Sequence, residues 1–176
     1  STANHNTAVG YGSLTENTTG TANIAIGSYV LDANTTASNN TAVGYQALTA
    51  NTTANNNTAV GKDALGGNTT GNENVAVGVN ALKVNTVTDR NVAVGVDALF
   101  SQTAGSGDTY NVAVGHSALL SNTNGTHNTA VGGLALDAND TGSHNTAIGY
   151  NSLGAANGAS NYNSALGRDS LSGVTT

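Results

Sequence analysis

Histidine and aspartate side chains are the residues of this chain whose types and spacing could do chemistry. His127 and His144 end two adjacent copies of the repeat defined below, and stacked imidazoles could bind a transition metal. In the neighbouring coils no carboxylate and no third His shares their place in the repeat. The segment from Asp137 to Gly142 has the acidic residues of a calcium loop, but it lacks the spacing and the final Glu of an EF-hand. We therefore expect His127 and His144 to be exposed turn residues, and we expect no metal site at either place and no cofactor.

Nucleophilic catalysis and paired-carboxylate catalysis are the other two chemistries that these residue types could support. The stretch Gly115–Leu119 contains half of a nucleophile elbow around Ser117, but it lacks the closing Gly. Asp63, Asp97 and Asp169 hold the same place in their repeats, but those repeats are not adjacent, so no paired-carboxylate site follows. Because no titratable cluster recurs in a plausible pocket, we expect that the protein is not an enzyme.

A nine-residue pattern, N-x-A-[VIL]-G-x-x-[ASV]-L, positions all of these residues. It reads NTAVGYQAL from Asn40 to Leu48. The interval between openings is constant except at two steps: the repeat that opens at Asn91 has three extra residues, and the one that opens at Asn145 has one. Places within a repeat are counted below from its opening Asn, which is the first residue. The ten copies open at Asn6, Asn23, Asn40, Asn57, Asn74, Asn91, Asn111, Asn128, Asn145 and Asn163.

The short period predicts an all-β fold, a β-solenoid (β-roll) of about ten 17-residue coils. A helix-pair repeat needs about 33 residues or more, and the Gly and β-branched residues oppose helix. Each coil is expected to hold two short parallel-stacked strands, the first around Thr41–Val43 and the second around Ala47–Thr49. Pro is absent, which suits a chain whose coils donate backbone N–H groups to one another. The period makes residues 1–176 a single β-solenoid repeat domain with insertion loops near residues 101–110 and 154–162.

Two sets of residues are expected to hold the coils together. The Asn residues that open successive repeats would form a hydrogen-bonded ladder along the axis, at Asn40, Asn57, Asn74 and Asn91. The apolar residues of the motif are expected to form the repeat core, at Val43, Leu48, Val60, Leu65, Val77, Leu82, Val94 and Leu99. Strand alternation leaves two arrangements open for the Val row. Either it points inward together with the Leu row, or the Ala and Gly rows line the interior and the Val row forms an exposed stripe suited to association.

The composition narrows the range of partners. The formal net charge is −6, only 8% of residues are charged, and Lys and Arg do not cluster. Phosphate binding needs a basic face, and no apolar run approaches the roughly 20 residues of a membrane span. We therefore expect no nucleic-acid partner and no membrane insertion. Cysteine is absent, so the fold has no disulfide framework.

The repeat carries a resemblance to known families. The core A-[VI]-G-x-x-[AS] resembles the head repeats of trimeric autotransporter adhesins, and the longer form N-T-A-V-G-x-x-A-L-x-x-N-T-T-G is similar to repeats in bacteriophage tail-fibre and bacterial surface proteins. The resemblance covers nearly the whole chain. It implies trimers of parallel β-rolls that bind host or matrix surfaces. Carried over to this sequence, it places a row of apolar residues against the trimer axis: Val9, Ile26, Val43, Val60, Val77, Val94, Val114, Val131 and Ile148.

Three functions follow as expectations, all of them extracellular or at a cell or virion surface. The first is a structural fibre subunit that associates end to end, because the chain begins and ends nearly in phase with its repeat and bare solenoid ends invite pairing. The second is a trimeric adhesin head or tail-fibre segment that binds a cell-surface or matrix ligand. The insertion at residues 101–110, with Phe100 and Tyr110, is the candidate for specific recognition. A third, weaker expectation is ice binding by Thr pairs such as residues 35–36 and 52–53.

Overall fold

The computed structural model describes residues 2–103, 105, 107–155 and 160–173, and it confirms the β-solenoid. No helix occurs in these described ranges. The strands are β1 (Thr7–Val9), β2 (Ile24–Ile26), β3 (Thr41–Val43), β4 (Thr58–Val60), β5 (Val75–Val77), β6 (Thr88–Asp89), β7 (Val92–Val94), β8 (Gly107–Asp108), β9 (Val112–Val114), β10 (Thr129–Val131), β11 (Thr146–Ile148) and β12 (Ser164–Leu166).

One long parallel sheet runs the length of the solenoid. Its order is β1-β2-β3-β4-β5-β7-β9-β10-β11-β12, and β6 pairs with β8 in a separate two-stranded parallel sheet. Each strand pairs with the same residues of the next coil, so that Ala42 faces Ala59. The register survives the larger insertion, since Val92 of β7 pairs with Val112 of β9. The extra residues of that insertion are therefore accommodated outside the long sheet.

The glycine that follows each strand of the long sheet, except the last, is required by close approach between coils. Gly44 has a φ of +129°, a region that side chains rarely adopt. A Cβ at this residue would lie 2.6 Å from the carbonyl oxygen of Gly61 in the next coil. The stacked backbones leave no room for a side chain here.

The second segment of each coil stacks as expected but is not a strand. The N–H of Leu48 donates to the carbonyl of Ala64 in the next coil at 3.0 Å. However, Gln46 and Leu48 have left-handed φ values of 56° and 52°, and the segment is a run of turns. A non-glycine residue in this region is normally unfavourable. Here it lets the chain turn within a few residues while the Leu side chain still points into the interior.

The interior is built from small and medium side chains. Ala42, the third residue of its repeat, and Ala47, the eighth, are fully buried. The ninth-residue leucines that were expected in the core are also fully buried, at Leu48, Leu65, Leu82 and Leu99.

The valines that were expected in the core lie on the outer face of the long sheet instead. Val60 is 37% exposed, and Val43, Val77 and Val94 are half-buried. This corrects their assignment to the core. The physical reason is strand alternation: each Ala of the Thr-Ala-Val or Val-Ala-Val strand points inward, so the residues on either side of it point outward. Of the two arrangements left open by the sequence, the exposed stripe is the one observed.

Buried asparagines tie each coil to its neighbours. Asn57 donates its backbone N–H to the Oδ1 of Asn40 at 2.9 Å, and Asn74 donates in the same way to Asn57 at 2.9 Å. Asn91 continues the ladder with a 2.9 Å bond to Asn74. The Nδ2 group of Asn57 crosses its own coil to the carbonyl of Gly71 at 2.9 Å. These amides are buried and hydrogen-bonded, as buried polar groups must be.

Candidate functional site

His127 and His144 stack on each other, as their spacing suggested, within a longer column of rings. Their ring centroids are 4.8 Å apart and their planes differ by 17°. Tyr162 stacks on His144 at 5.0 Å, and Tyr110 lies 5.3 Å from His127 on the other side. We call these four residues the ring column. All four side chains are exposed, and each of the two inner rings has a neighbouring ring on both sides.

The ring column continues into a charged cluster around Arg90. The guanidinium lies 5.7 Å from the centroid of the Tyr110 ring and donates to the Tyr110 hydroxyl at 3.2 Å. It forms ion pairs with Glu73 at 2.8 Å and with Asp108. The pKa of Arg90 is raised above its ordinary value. The hydrogen bond to Glu73 contributes most, followed by the hydrogen bond to Tyr110 and the charge of Asp108. The cluster therefore holds a permanently charged cation at the outer surface.

The same cluster anchors the described part of the insertion. β6, which precedes Arg90, pairs with β8, which contains Asp108. Gln102 takes the place that Asn holds in seven other coils, and its Oε1 accepts from Asn122 Nδ2 at 2.6 Å and from Asn111 Nδ2 at 3.1 Å. Phe100 is half-buried and Tyr110 is exposed. Residues 104 and 106 of this loop, and residues 156–159 of the second loop, lie outside the described residues.

The metal-ligating and nucleophilic candidates of the sequence lie in different environments. In the described part of the chain, no three His, Asp or Glu side chains come close enough together to hold a metal ion. Burial raises the pKa of the Asp137 carboxyl, whose Oδ1 has no hydrogen-bond partner. Asp140 accepts a hydrogen bond from the hydroxyl of Thr123. Ser117 is almost fully buried, at 5% exposure.

The aspartates that share the seventh place of their repeats make contacts between side chains of neighbouring coils. Asp63 pairs with Lys83 of the next coil at 3.3 Å. Asp97 accepts from Asn80 Nδ2 at 2.9 Å, and Asp169 accepts from Asn151 Nδ2 at 2.9 Å. Each carboxylate is thus used in stacking the coils.

A cleft between the first two coils was not anticipated from the sequence. It is open to solvent, has a volume of about 600 Å³ and is lined by Tyr11, Gly12, Thr15, Glu16, Tyr29, Asp32 and Ala33. We call it the tyrosine cleft. The two Tyr rings meet edge to face, with centroids 5.3 Å apart. Tyr29 also meets Tyr45 edge to face at 6.2 Å.

The only sequence signal for the tyrosine cleft is that Tyr and acidic residues occupy neighbouring places in the first two repeats. Tyr11 is the sixth residue of its repeat and Tyr29 the seventh of the next, so simple repeat alignment does not place them together. Glu16 and Asp32 are offset by one place in the same way. Stacking of the coils is what brings these four side chains around one space.

The outer face of the long sheet is the other surface of note. The fourth residues of the repeats form an apolar row on this face, and they are exposed to differing degrees. The exposed fraction is 57% for Val9 and 79% for Leu166, which lie at opposite ends of the row. The described residues contain no helix that is long and apolar enough to span a membrane. The chain matches no protein-family model, no curated protein and no solved structure.

Proposed function

We propose that this protein is a non-enzymatic structural protein, a subunit of an extracellular or cell-surface fibre that associates with further copies of itself end to end. The observation that carries the proposal is the state of the two end strands. Within the described residues, β1 pairs only with β2 and β12 pairs only with β11. An unpaired strand edge is a ready template for pairing with another chain.

The apolar interior also reaches both ends of the solenoid. Ala8 is exposed, whereas Ala25, at the same place in the next coil, is fully buried. At the other end Leu171 is 46% exposed, whereas Leu153 of the preceding coil is fully buried. A further coil stacked on either end would bury this apolar surface, which is favourable by about 25 cal/mol per Å². Because the two ends differ, the contact is head to tail and produces an open filament.

A single substitution can test the end-to-end contact without disturbing the pairs inside the solenoid. The N–H of Thr146 donates to the carbonyl of Asn163 in the next coil at 2.8 Å. Ser164 holds the same place in the last coil, so its N–H is directed to the open edge of β12. Ser164→Pro removes this donor, and Pro is tolerated on an edge strand. Ser164→Ala keeps the donor and is the matched control.

Sedimentation velocity over a concentration series measures the outcome. The wild-type protein and Ser164→Ala are expected to form longer species as the concentration rises, while Ser164→Pro stays as single rods. Monodisperse rods for all three proteins would contradict the proposal, and so would a Pro variant that polymerises as the wild type does. Circular dichroism confirms that each variant keeps its β structure.

A trimeric adhesin head or tail-fibre segment is the second candidate function. The exposed apolar row on the outer face of the long sheet favours it, since a continuous exposed apolar surface is typical of an interaction site. In this arrangement the row would face partner copies side by side. The lateral trimer would then present a surface to a cell-surface or matrix ligand.

Charges placed in that row test lateral association. Val77→Asp together with Val94→Asp would put carboxylates of several copies against each other and break a lateral trimer. Thr53→Asp together with Thr70→Asp adds the same charge to exposed turn positions and is the control. Multi-angle light scattering should show three chains in the wild type and the control, and one in the valine variant. A particle mass that the valine change leaves unaltered would rule out a lateral trimer that associates through this row.

A further inference from the structure

We propose that the tyrosine cleft binds a small organic ammonium ion, recognised by the rings of Tyr11 and Tyr29 and by the carboxylates of Glu16 and Asp32. The cleft is open to solvent and has a volume of about 600 Å³, within the range of about 300–1,000 Å³ found for small-molecule sites. Its lining combines two aromatic rings with two acidic side chains. Rings attract cations through their faces, and carboxylates strengthen the attraction by charge-assisted hydrogen bonds.

The charge around the cleft favours a cation over an anion or a neutral ligand. Glu16 and Asp32 are the only acidic residues before Lys62, and Lys62 is the first basic residue of Lys or Arg type in the sequence. Of the two carboxylates, Asp32 is the more fixed, since its Oδ1 accepts a 2.7 Å hydrogen bond from the Thr49 hydroxyl. Tyr11 is 73% exposed, so its ring is accessible to a ligand from solvent.

The chain itself shows twice that a Tyr ring and a carboxylate on this scaffold hold a cation. Arg168 lies 5.5 Å from the centroid of the Tyr150 ring and pairs with Asp169 at 3.2 Å. Arg90 lies over Tyr110 in the same manner and pairs with Glu73 and Asp108.

The first of these two examples is the closest counterpart of the cleft. Tyr150 and Tyr11 are both sixth residues of their repeats. Arg168 is the sixth residue of the coil after Tyr150, whereas the sixth residue of the coil after Tyr11 is Ser28. The ring of Tyr11 therefore has a small neutral residue at the place from which Arg168 reaches the ring of Tyr150. The two carboxylates of the cleft come from other places of the repeat than Asp169 does. An external ammonium ion would take the role that Arg168 has there.

Gly12 contributes to the shape of the cleft. Its φ is +68°, and a Cβ at this residue would lie 3.1 Å from the ring of Tyr29. Glycine thus keeps the space between the two tyrosines open. A larger residue here would press on the Tyr29 ring and narrow the space available to a ligand.

The test uses choline as the cationic probe and its uncharged carbon isostere as the control ligand. Isothermal titration calorimetry at low ionic strength, with NMR of the tyrosine ring protons, measures binding to the full chain. We expect saturable binding of choline, weakened by added salt, and no saturable binding of the isostere. Equal binding of the two ligands, or no saturable choline binding to the folded wild type, would overturn the proposal.

Variants locate the site. Tyr11→Leu and Glu16→Gln change exposed side chains and should each weaken choline binding by about threefold or more, the scale of an exposed cation–π or ionic contact. Asp32→Asn should act in the same direction. Tyr150→Leu removes the counterpart ring and should leave choline binding unchanged. If Tyr11→Leu and Glu16→Gln bind choline as the wild type does, the cation is held elsewhere and the assignment fails.

Discussion

The backbone N–H of Asn57 donates to the side-chain oxygen of Asn40, one coil away, at 2.9 Å. The side-chain oxygen of Asn57 accepts the N–H of Asn74 in the same way, while its Nδ2 group donates to the carbonyl of Gly71 at 2.9 Å. One fully enclosed amide therefore holds its own coil in shape and fixes the register of the next. The same relationship recurs coil after coil, which makes it the basic cohesive unit of the rod.

Removing one rung of this ladder should destabilise the protein. Asn57→Ala leaves the buried N–H of Asn74 without its acceptor and takes one of two donors from Gly71, and we expect a loss of about 1–3 kcal/mol. Urea unfolding followed by circular dichroism measures it. Asn124→Ala, at an exposed turn, is the control and should change stability by less than about 0.5 kcal/mol. Equal effects at the two sites would argue against a cohesive role for the ladder.

The buried leucine row and the outer valine row should differ in how much stability the protein loses when a side chain is truncated. Leu65 is fully buried, and Leu65→Ala is expected to cost about 2–5 kcal/mol because it leaves a cavity. Val60 lies on the outer face, and Val60→Ala should cost about 1 kcal/mol or less. Thermal unfolding of the two variants at low protein concentration separates this effect from association. A larger loss for Val60→Ala would show that the Val row, not the Leu row, forms the core.

The glycines that follow the strands of the long sheet inside the solenoid should not tolerate a methyl group. Gly44→Ala places a Cβ 2.6 Å from the Gly61 carbonyl oxygen at a φ of +129°, and we expect a loss of at least about 2 kcal/mol. Gly105→Ala is the matched control, since a Cβ at Gly105 meets no atom within 4 Å. Comparable melting temperatures for the two variants would mean that the coils can separate to admit a side chain.

Asp137 gives a pH-dependent prediction. Burial raises the pKa of its carboxyl in the folded protein, so folding favours the protonated form and the charged form costs stability. The cost is absent below the unfolded-state pKa, about 4, and grows as the pH rises through the folded pKa. Asp137→Asn should therefore melt at a higher temperature than the wild type at pH 7, with the gain shrinking toward pH 3. A gain that is independent of pH, or a loss at pH 7, would contradict this explanation.

The sequence was sufficient for the architecture because every coil repeats the same requirement. Ala42, Gly44 and Leu48 recur at fixed places, and the step from one opening Asn to the next is too short for a pair of helices. The sequence could not decide where Val43 points, because a row of Val suits either face of a sheet. Only the structure shows that Ala and Leu fill the narrow interior. The sequence-based prediction also misjudged the segment around Leu48, where burial of the side chain outweighs the usual cost of a left-handed backbone.

The sites were less predictable than the fold, since they depend on contacts between different repeats. The stacking of His127 on His144 followed directly from their identical places. The contact between Tyr11 and Tyr29 could not be predicted in this way, because the two residues occupy neighbouring rather than identical places of their repeats. Their rings nevertheless meet between coils. A repeat alignment captures columns of equivalent residues but not such diagonal contacts.

Electron microscopy of the negatively stained protein over a concentration series tests the proposed end-to-end fibre most directly. The ten strands of the long sheet, at about 4.8 Å each, give a single rod of about 48 Å. We expect uniform threads many times longer than one rod, of constant width, that lengthen with concentration and are lost in the Ser164→Pro variant. Discrete rods of single-chain length at every concentration would contradict end-to-end association.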